Sequence, residues 1–213
     1  MKLRKKETLI GILFFVMSEI KKETPTLKCI VVGSSGVGKT SLIEYLINGK
    51  FNENTQPTIA VDYKTTILEI DGQEVKMNIY DTAGQEKYKA LSRSYFRKSD
   101  CVLLVFDLTE KQSYDDANAW YLEILQNCDF DSKILLVGNK ADEINTRVIS
   151  NTTAELYAKS RNIIYIETSA KTGENVREAF FRIACEAYRS NEKEIHDDVP
   201  SLTLQSMLMK KCC

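Results

Sequence analysis

The segment Gly33-Ser34-Ser35-Gly36-Val37-Gly38-Lys39-Thr40 has the spacing G-x-x-x-x-G-K-[ST] and sits between a β-branched run and a helical pattern. Glycines at these positions let successive backbone N–H groups converge on a β-phosphate, and the helix that follows adds the partial positive charge of its N-terminus. Lys39 can then reach the β- and γ-phosphates, and the Thr40 hydroxyl, with Ser41 beside it, is placed to ligate Mg²⁺. Residues 34–41 therefore predict a nucleoside triphosphate site. They do not choose the base.

Such a loop needs a second Mg²⁺ anchor at the end of a neighbouring strand. Asp81 ends the alternating run Val75–Tyr80 and opens Asp81-Thr82-Ala83-Gly84-Gln85-Glu86. There Gly84 can bring its N–H to the γ-phosphate, and Gln85 can orient an attacking water. Two further segments, Asn139-Lys140-Ala141-Asp142 and Glu167-Thr168-Ser169-Ala170-Lys171, each follow an apolar strand, at the strand ends where open α/β sheets bind ligands. The two oxygens of Asp142 match the N1–H and N2–H₂ donors of guanine, and adenine presents no such pair. Guanine is the expected base.

The elements that must hold these residues alternate along the chain. Strands are expected at Leu27–Val32, Asp62–Ile70, Glu74–Tyr80, Cys101–Phe106, Ile134–Val137 and Ile163–Ile166, with Asp71-Gly72 turning a hairpin. Helical spacing runs through Ser41–Asn48, through Ala117, Trp120, Tyr121, Ile124, Leu125 and Cys128, and through Val176, Phe180, Ile183, Ala184 and Ala187. A capping box, Thr152-x-x-Glu155, predicts one more helix start, and Asn175 with Glu178 caps the last helix. The pattern predicts an α/β fold: a six-stranded, mostly parallel sheet with one antiparallel edge strand and about five surrounding helices.

Composition bounds the alternatives. The 213 residues suit one domain with tails, and 43% hydrophobic with 28% charged residues suits a folded core. Lys+Arg 29 against Asp+Glu 30 provides no bulk positive field, which argues against nucleic acid as a partner. Cys29, Cys101, Cys128 and Cys185 lie in apolar periodic segments and read as reduced core thiols.

These motifs, in this order, resemble the Ras-superfamily small GTPases from about Leu27 to Arg189. Ile59-Ala60-Val61-Asp62-Tyr63, Tyr80-Asp81-Thr82-Ala83-Gly84-Gln85-Glu86-Lys87-Tyr88 and the terminal Cys212-Cys213 resemble the Rab branch. The resemblance implies a P-loop G domain over residues 27–190 that binds GTP and GDP with Mg²⁺ and hydrolyses GTP in vesicle traffic, at the cytoplasmic face of endomembranes and cycling with the cytosol. By the same resemblance, Thr58 is the switch threonine that ligates Mg²⁺ beside Thr40 and Asp81 and touches the γ-phosphate. Phe51 stacks on guanine, Lys140 lies along the base plane, and Ala170 offers its N–H to the guanine carbonyl, with Ser169 and Lys171 beside it. Implied partners are an exchange factor, a GTPase-activating protein, a GDP-dissociation inhibitor or escort protein, and effectors. Ala60 and Tyr80 stand where the branch has glycine and tryptophan, which bears on effector choice and not on nucleotide chemistry. Ser35 is a small residue near the γ-phosphate, as in that branch. With no arginine in the P-loop or in the switch segment about Asn52–Tyr63, intrinsic hydrolysis is expected to be slow, and the resemblance implies an activating protein whose arginine, supplied in trans, accelerates it about 10³–10⁵-fold. Two other readings share the P-loop: a GTP-locked interaction module or other signalling GTPase, and an ATPase or small-molecule kinase.

The ends fall outside the domain. Residues 191–213 read as a flexible tail whose Cys212 and Cys213, by the same resemblance, carry two geranylgeranyl chains, because one chain binds bilayers only marginally. Residues 1–26 form an extension in which Lys2–Lys6 and Leu9–Met17 imitate a signal peptide. The expectation is that translation starts at Met17, which leaves residues 1–16 untranslated, with a membrane-binding segment as the alternative.

Overall fold

The computed structural model describes residues 24–53, 58, 61–82 and 95–197. β1 (Thr26–Val32) is apolar on both faces because helices cover both sides of it. Cys29 and Val31 point to one face, where α1 (Lys39–Asn48) and α4 (Val176–Asp197) pack through Leu42, Ile43, Phe180 and Ile183. Ile30 and Val32 point to the other, against Trp120 and Ile124 of α2 (Lys111–Asn127) and Ala154 and Ala158 of α3 (Asn151–Ser160). The alternation of one strand thus divides the core into two layers.

With β2 (Val61–Ile70), β3 (Gln73–Thr82), β4 (Cys101–Asp107), β5 (Lys133–Asn139) and β6 (Ile164–Glu167), the sheet order is β2-β3-β1-β4-β5-β6. Only β2 pairs antiparallel, to β3, and it forms the edge. The expected wetter face of β3 is there: Val75, Met77 and Ile79 are buried, whereas Lys76, Asn78 and Tyr80 are half-buried. All parallel strands end on one side, so the loops after β1, β3, β5 and β6 converge. That convergence brings the four chemical segments together.

Several local expectations are corrected. Four helices lie among the described residues. Ser150, not Thr152, caps α3, its Oγ accepting from the Thr153 N–H at 3.1 Å. Asn175 has a left-handed φ of 53°, and its amide donates to the Glu167 carbonyl at 2.9 Å. Leu125 is 57% exposed, because the sheet meets α2 along the Ala117–Trp120–Ile124 line. The final helix runs to Asp197, past Asn191, where the sequence reads as tail. The Tyr188 hydroxyl bonds Glu192 at 2.6 Å and the Asn191 amide bonds Asp100 at 2.7 Å, which hold the added turns. Cys29, Cys101, Cys128 and Cys185 are free thiols, Cys128 half-buried and the others buried.

Phe180 is fully buried between α4 and the sheet. Phe180→Ala should cost about 3–5 kcal/mol of unfolding free energy, measured by urea denaturation. An unchanged midpoint would contradict this packing.

Candidate functional site

The turn after β1 is shaped by two close approaches. A Cβ on Gly33 would stand 2.1 Å from the Val105 carbonyl oxygen, and one on Gly38 would stand 2.3 Å from Asn139 Nδ2. Gly38 also has φ 96°, a left-handed conformation at the start of α1. The Asn139 amide donates to the Val37 carbonyl at 2.8 Å and thereby ties the phosphate loop to the loop after β5. Val37 is itself buried in the core, so it offers ligands only backbone. Ser34 donates to Asp116 of α2 at 3.0 Å, whereas Ser35 and Gly36 are exposed along the turn.

Lys39 is 6% exposed, and its Nζ donates to the Gly33 and Ser34 carbonyls, each at 2.8 Å. Burial lowers its pKa to about 8, against the opposing pull of Asp81. Its ammonium has three donors, so one can still meet a phosphate oxygen.

Three oxygens gather beside it. Asp81 Oδ2 accepts from Thr40 Oγ1 at 2.5 Å and Thr58 Oγ1 at 3.2 Å, and the two hydroxyls are 2.9 Å apart. Asp81 Oδ1 is buried without a hydrogen-bond partner, and burial raises the Asp81 pKa despite the hydroxyls and Lys39. An orphaned carboxylate oxygen beside two hydroxyls fits a hard divalent cation. Among the described residues no three His, Cys, Asp or Glu side chains assemble, and so sparse a donor set suits Mg²⁺ that shares its coordination with phosphates.

The other end of the site is a cleft of about 320 Å³ lined by Gly36, Gly38, Ser41, Phe51, Asn139, Lys140, Asp142, Ala170 and Lys171, with Glu53 and Glu143 in addition. The Asn139 side-chain oxygen accepts from Thr168 Oγ1 and the Ala170 N–H, both at 3.2 Å. Lys140, in a left-handed conformation at φ 67°, pairs with Asp107 Oδ2 at 2.5 Å, so its stem is held along the cleft wall. Ser169 is fully buried and donates to Asp142 Oδ1 at 2.5 Å. It orients the carboxylate and is not itself open to the cleft. Lys171 stands 3.9 Å from Asp142 and 3.7 Å from Glu143. Phe51, at 37% exposure, supplies an aromatic wall.

Gly84, Gln85, Cys212 and Cys213 lie outside the described residues. Asp107 and Asp116 escaped the sequence reading. Asp107 had a signal, an acid closing a fully buried strand, whereas Asp116 has none beyond ordinary helix-surface chemistry.

Away from the cleft, Tyr63, Tyr80 and Tyr95 form a row, with ring centroids 5.2 Å and 5.7 Å apart. The Tyr63 hydroxyl donates to Asn78 at 2.8 Å, and the Lys28 ammonium lies 5.4 Å from the Tyr80 ring.

Comparison with known proteins identifies the chain's family and relatives. The Ras family model matches residues 28–189. The GTP-binding protein ypt3 of Schizosaccharomyces pombe is 37% identical over 162 residues, 76% of this chain and 76% of that protein. The Ras-related protein Rab-11A of Dictyostelium discoideum is 34% identical over 179 residues, 84% of each chain. The Ras-related protein Rab-26 of Bos taurus is 39% identical over 175 residues, 82% of this chain and 66% of that protein. The glycine-rich loop, the acid-and-hydroxyl cluster and the cleft assemble at the carboxyl ends of the parallel strands, and on the family match and these relatives the chain belongs to the Ras family and is a GTPase of Rab type.

Proposed function

We propose that this GTPase is a slow, regulated switch that acts in vesicle traffic by recruiting effectors in its GTP state. The observation that carries the reading is a cleft flanked by the Lys39 loop at one end and by Asp142, held by Ser169, at the other. Lys39, the N–H groups of residues 34–41 and Gly84 bind the phosphates, while Phe51, Asn139, Lys140, Asp142, Ala170 and Lys171 hold guanine. Thr40, Thr58 and Asp81 would hold Mg²⁺, which neutralises phosphate charge when bound. Gln85 orients the attacking water. Because Thr58 reaches the cluster through its own hydroxyl, its grip on the site is available to report the γ-phosphate to the segment around it.

The tyrosine row Tyr63–Tyr80–Tyr95 offers effectors an aromatic surface. Cys212 and Cys213 anchor the chain by prenylation to the cytoplasmic face of endomembranes, and a dissociation inhibitor or escort protein carries it through the cytosol. An exchange factor and a GTPase-activating protein set the two rates of the cycle.

The test is competition against fluorescent GDP. Unlabelled GTP should displace it at stoichiometric concentrations, and ATP should fail at about 10³-fold excess. Equal displacement by ATP would overturn the guanine assignment.

A further inference from the structure

Two residues outside the cleft connect the loops that form it. Arg147 lies in the segment that follows Asp142, and Glu167 ends β6 immediately before Thr168. The guanidinium grips the carboxylate with both arms: Arg147 Nη1 donates to Glu167 Oε2 at 2.8 Å and Nη2 donates to Oε1. The fork is itself fixed, because Arg147 Nε donates to the Ile149 carbonyl at 2.7 Å. The carboxylate also accepts from the Tyr165 hydroxyl at 2.8 Å. That hydroxyl packs so closely on Gly138 that a Cβ there would lie 2.7 Å from it, and Gly138 directly precedes Asn139. The side chains of Arg147 and Glu167 are only 25% and 20% exposed. Burial alone would push Glu167 up, but the Arg147 and Tyr165 hydrogen bonds outweigh it and hold the carboxyl below its ordinary value.

We infer that Arg147 and Glu167 form a brace between the loop carrying Asp142 and the loop carrying Ser169 and Ala170, and that this brace sets how long a guanine nucleotide remains bound. The inference rests on the guanine reading above. Its logic is positional. Asp142 is aimed by Ser169, two residues beyond Glu167, and the two loops otherwise meet through the Thr168 N–H to Gly138 carbonyl bond at 2.8 Å, the Ala141 N–H to Thr168 carbonyl bond at 3.0 Å, the Asn139 contacts and the longer, more exposed approaches of Lys171 to Asp142 and Glu143 at 3.9 and 3.7 Å. The hydrogen bonds of residues 138–141 and 168 join the loops at their roots. The ion pair joins them again on the far side of Asp142 in sequence, so the carboxylate is held between two fixed points. Neither member touches the cleft, and both are therefore positioning residues.

The experiment is displacement of fluorescent GDP and of fluorescent IDP, whose hypoxanthine lacks the 2-amino group that Asp142 would read. It uses the full chain, Arg147→Ala, Glu167→Ala and the double variant. Each single substitution should speed GDP release about tenfold, and the double variant no more than either single one, because both break one interaction. IDP release should quicken less, so the discrimination between the two nucleotides narrows. Arg147→Lys should not restore slow release, since an ammonium cannot make two parallel bonds. If the alanine variants fail to fold, Glu167→Gln preserves the shape and tests the charge. GDP release within about twofold of the unmodified rate would overturn the brace, as would equal acceleration of GDP and IDP. Unmodified protein that released GDP as fast as ADP would instead overturn the guanine reading itself.

Discussion

Asp142→Asn should convert a guanine site into a xanthine site. The native carboxylate has one oxygen engaged by the Ser169 hydroxyl at 2.5 Å and the other 3.9 Å from the Lys171 ammonium. Because Ser169 donates, an amide at this position keeps its oxygen toward Ser169, and the NH₂ takes the place of Oδ2. That group then faces guanine donor to donor, whereas it can donate to the O2 of xanthine. Loss of two charge-assisted hydrogen bonds, at about 1.5–3 kcal/mol each, weakens GTP binding about 10²-fold or more. XTP should now outcompete GTP in displacement of labelled nucleotide. A competition order identical to that of the unmodified protein would end the base-reading argument for Asp142.

Gln85→Leu should leave nucleotide affinity within about threefold and lower hydrolysis stimulated by an activating protein about 10³-fold or more. The argument begins at the end of β3, where the Thr82 hydroxyl donates to the Val31 carbonyl at 2.7 Å. This bond fixes the point at which the chain leaves the sheet, beside the strand that feeds the phosphate loop. Gln85 follows three residues later, within about 10 Å of extended chain. Leucine keeps the size of the side chain and removes both its donor and its acceptor, so it removes the ability to hold a water without disturbing Lys39 or Asp142. Single-turnover phosphate release, measured alongside direct GTP binding, separates the two effects. An unchanged stimulated rate would remove Gln85 from the chemistry.

Much of the fold was legible because burial on both faces leaves a plain mark. Ile30 and Val31 are both apolar, and they serve different layers of the core. Elsewhere the local pattern was overruled by contacts from distant elements. Thr152-x-x-Glu155 looks like a helix start, but the helix starts after Ser150, because the Val148 and Ile149 N–H groups bond the Leu108 carbonyl at 3.0 and 3.1 Å and fix the entry of the chain two residues earlier. Leu125 fits the helical stripe of α2 as well as Ile124 does, but the sheet lies on the Ile124 side. The turns from Asn191 to Asp197 carry no apolar period, and a contact to Asp100, 91 positions away, holds their start.

By itself, the sequence determined the glycine-rich loop after β1, the segments after β5 and β6 proposed to read guanine, and the strand ends that present them. Each is a contiguous run in which backbone conformation, glycine placement and one or two side chains define the chemistry locally. Only the tertiary structure decided that Ser34 is held by Asp116, 82 positions away, that Lys140 is held by Asp107, and that Arg147 locks onto Glu167, 20 positions away. Asp116 and Arg147 are ordinary types at ordinary places along the chain, and their meaning arises when parallel strands deliver distant loops to one end of the sheet, at the strands' carboxyl termini. Pairing of that kind depends on the relative placement of whole elements, which no short stretch of sequence encodes.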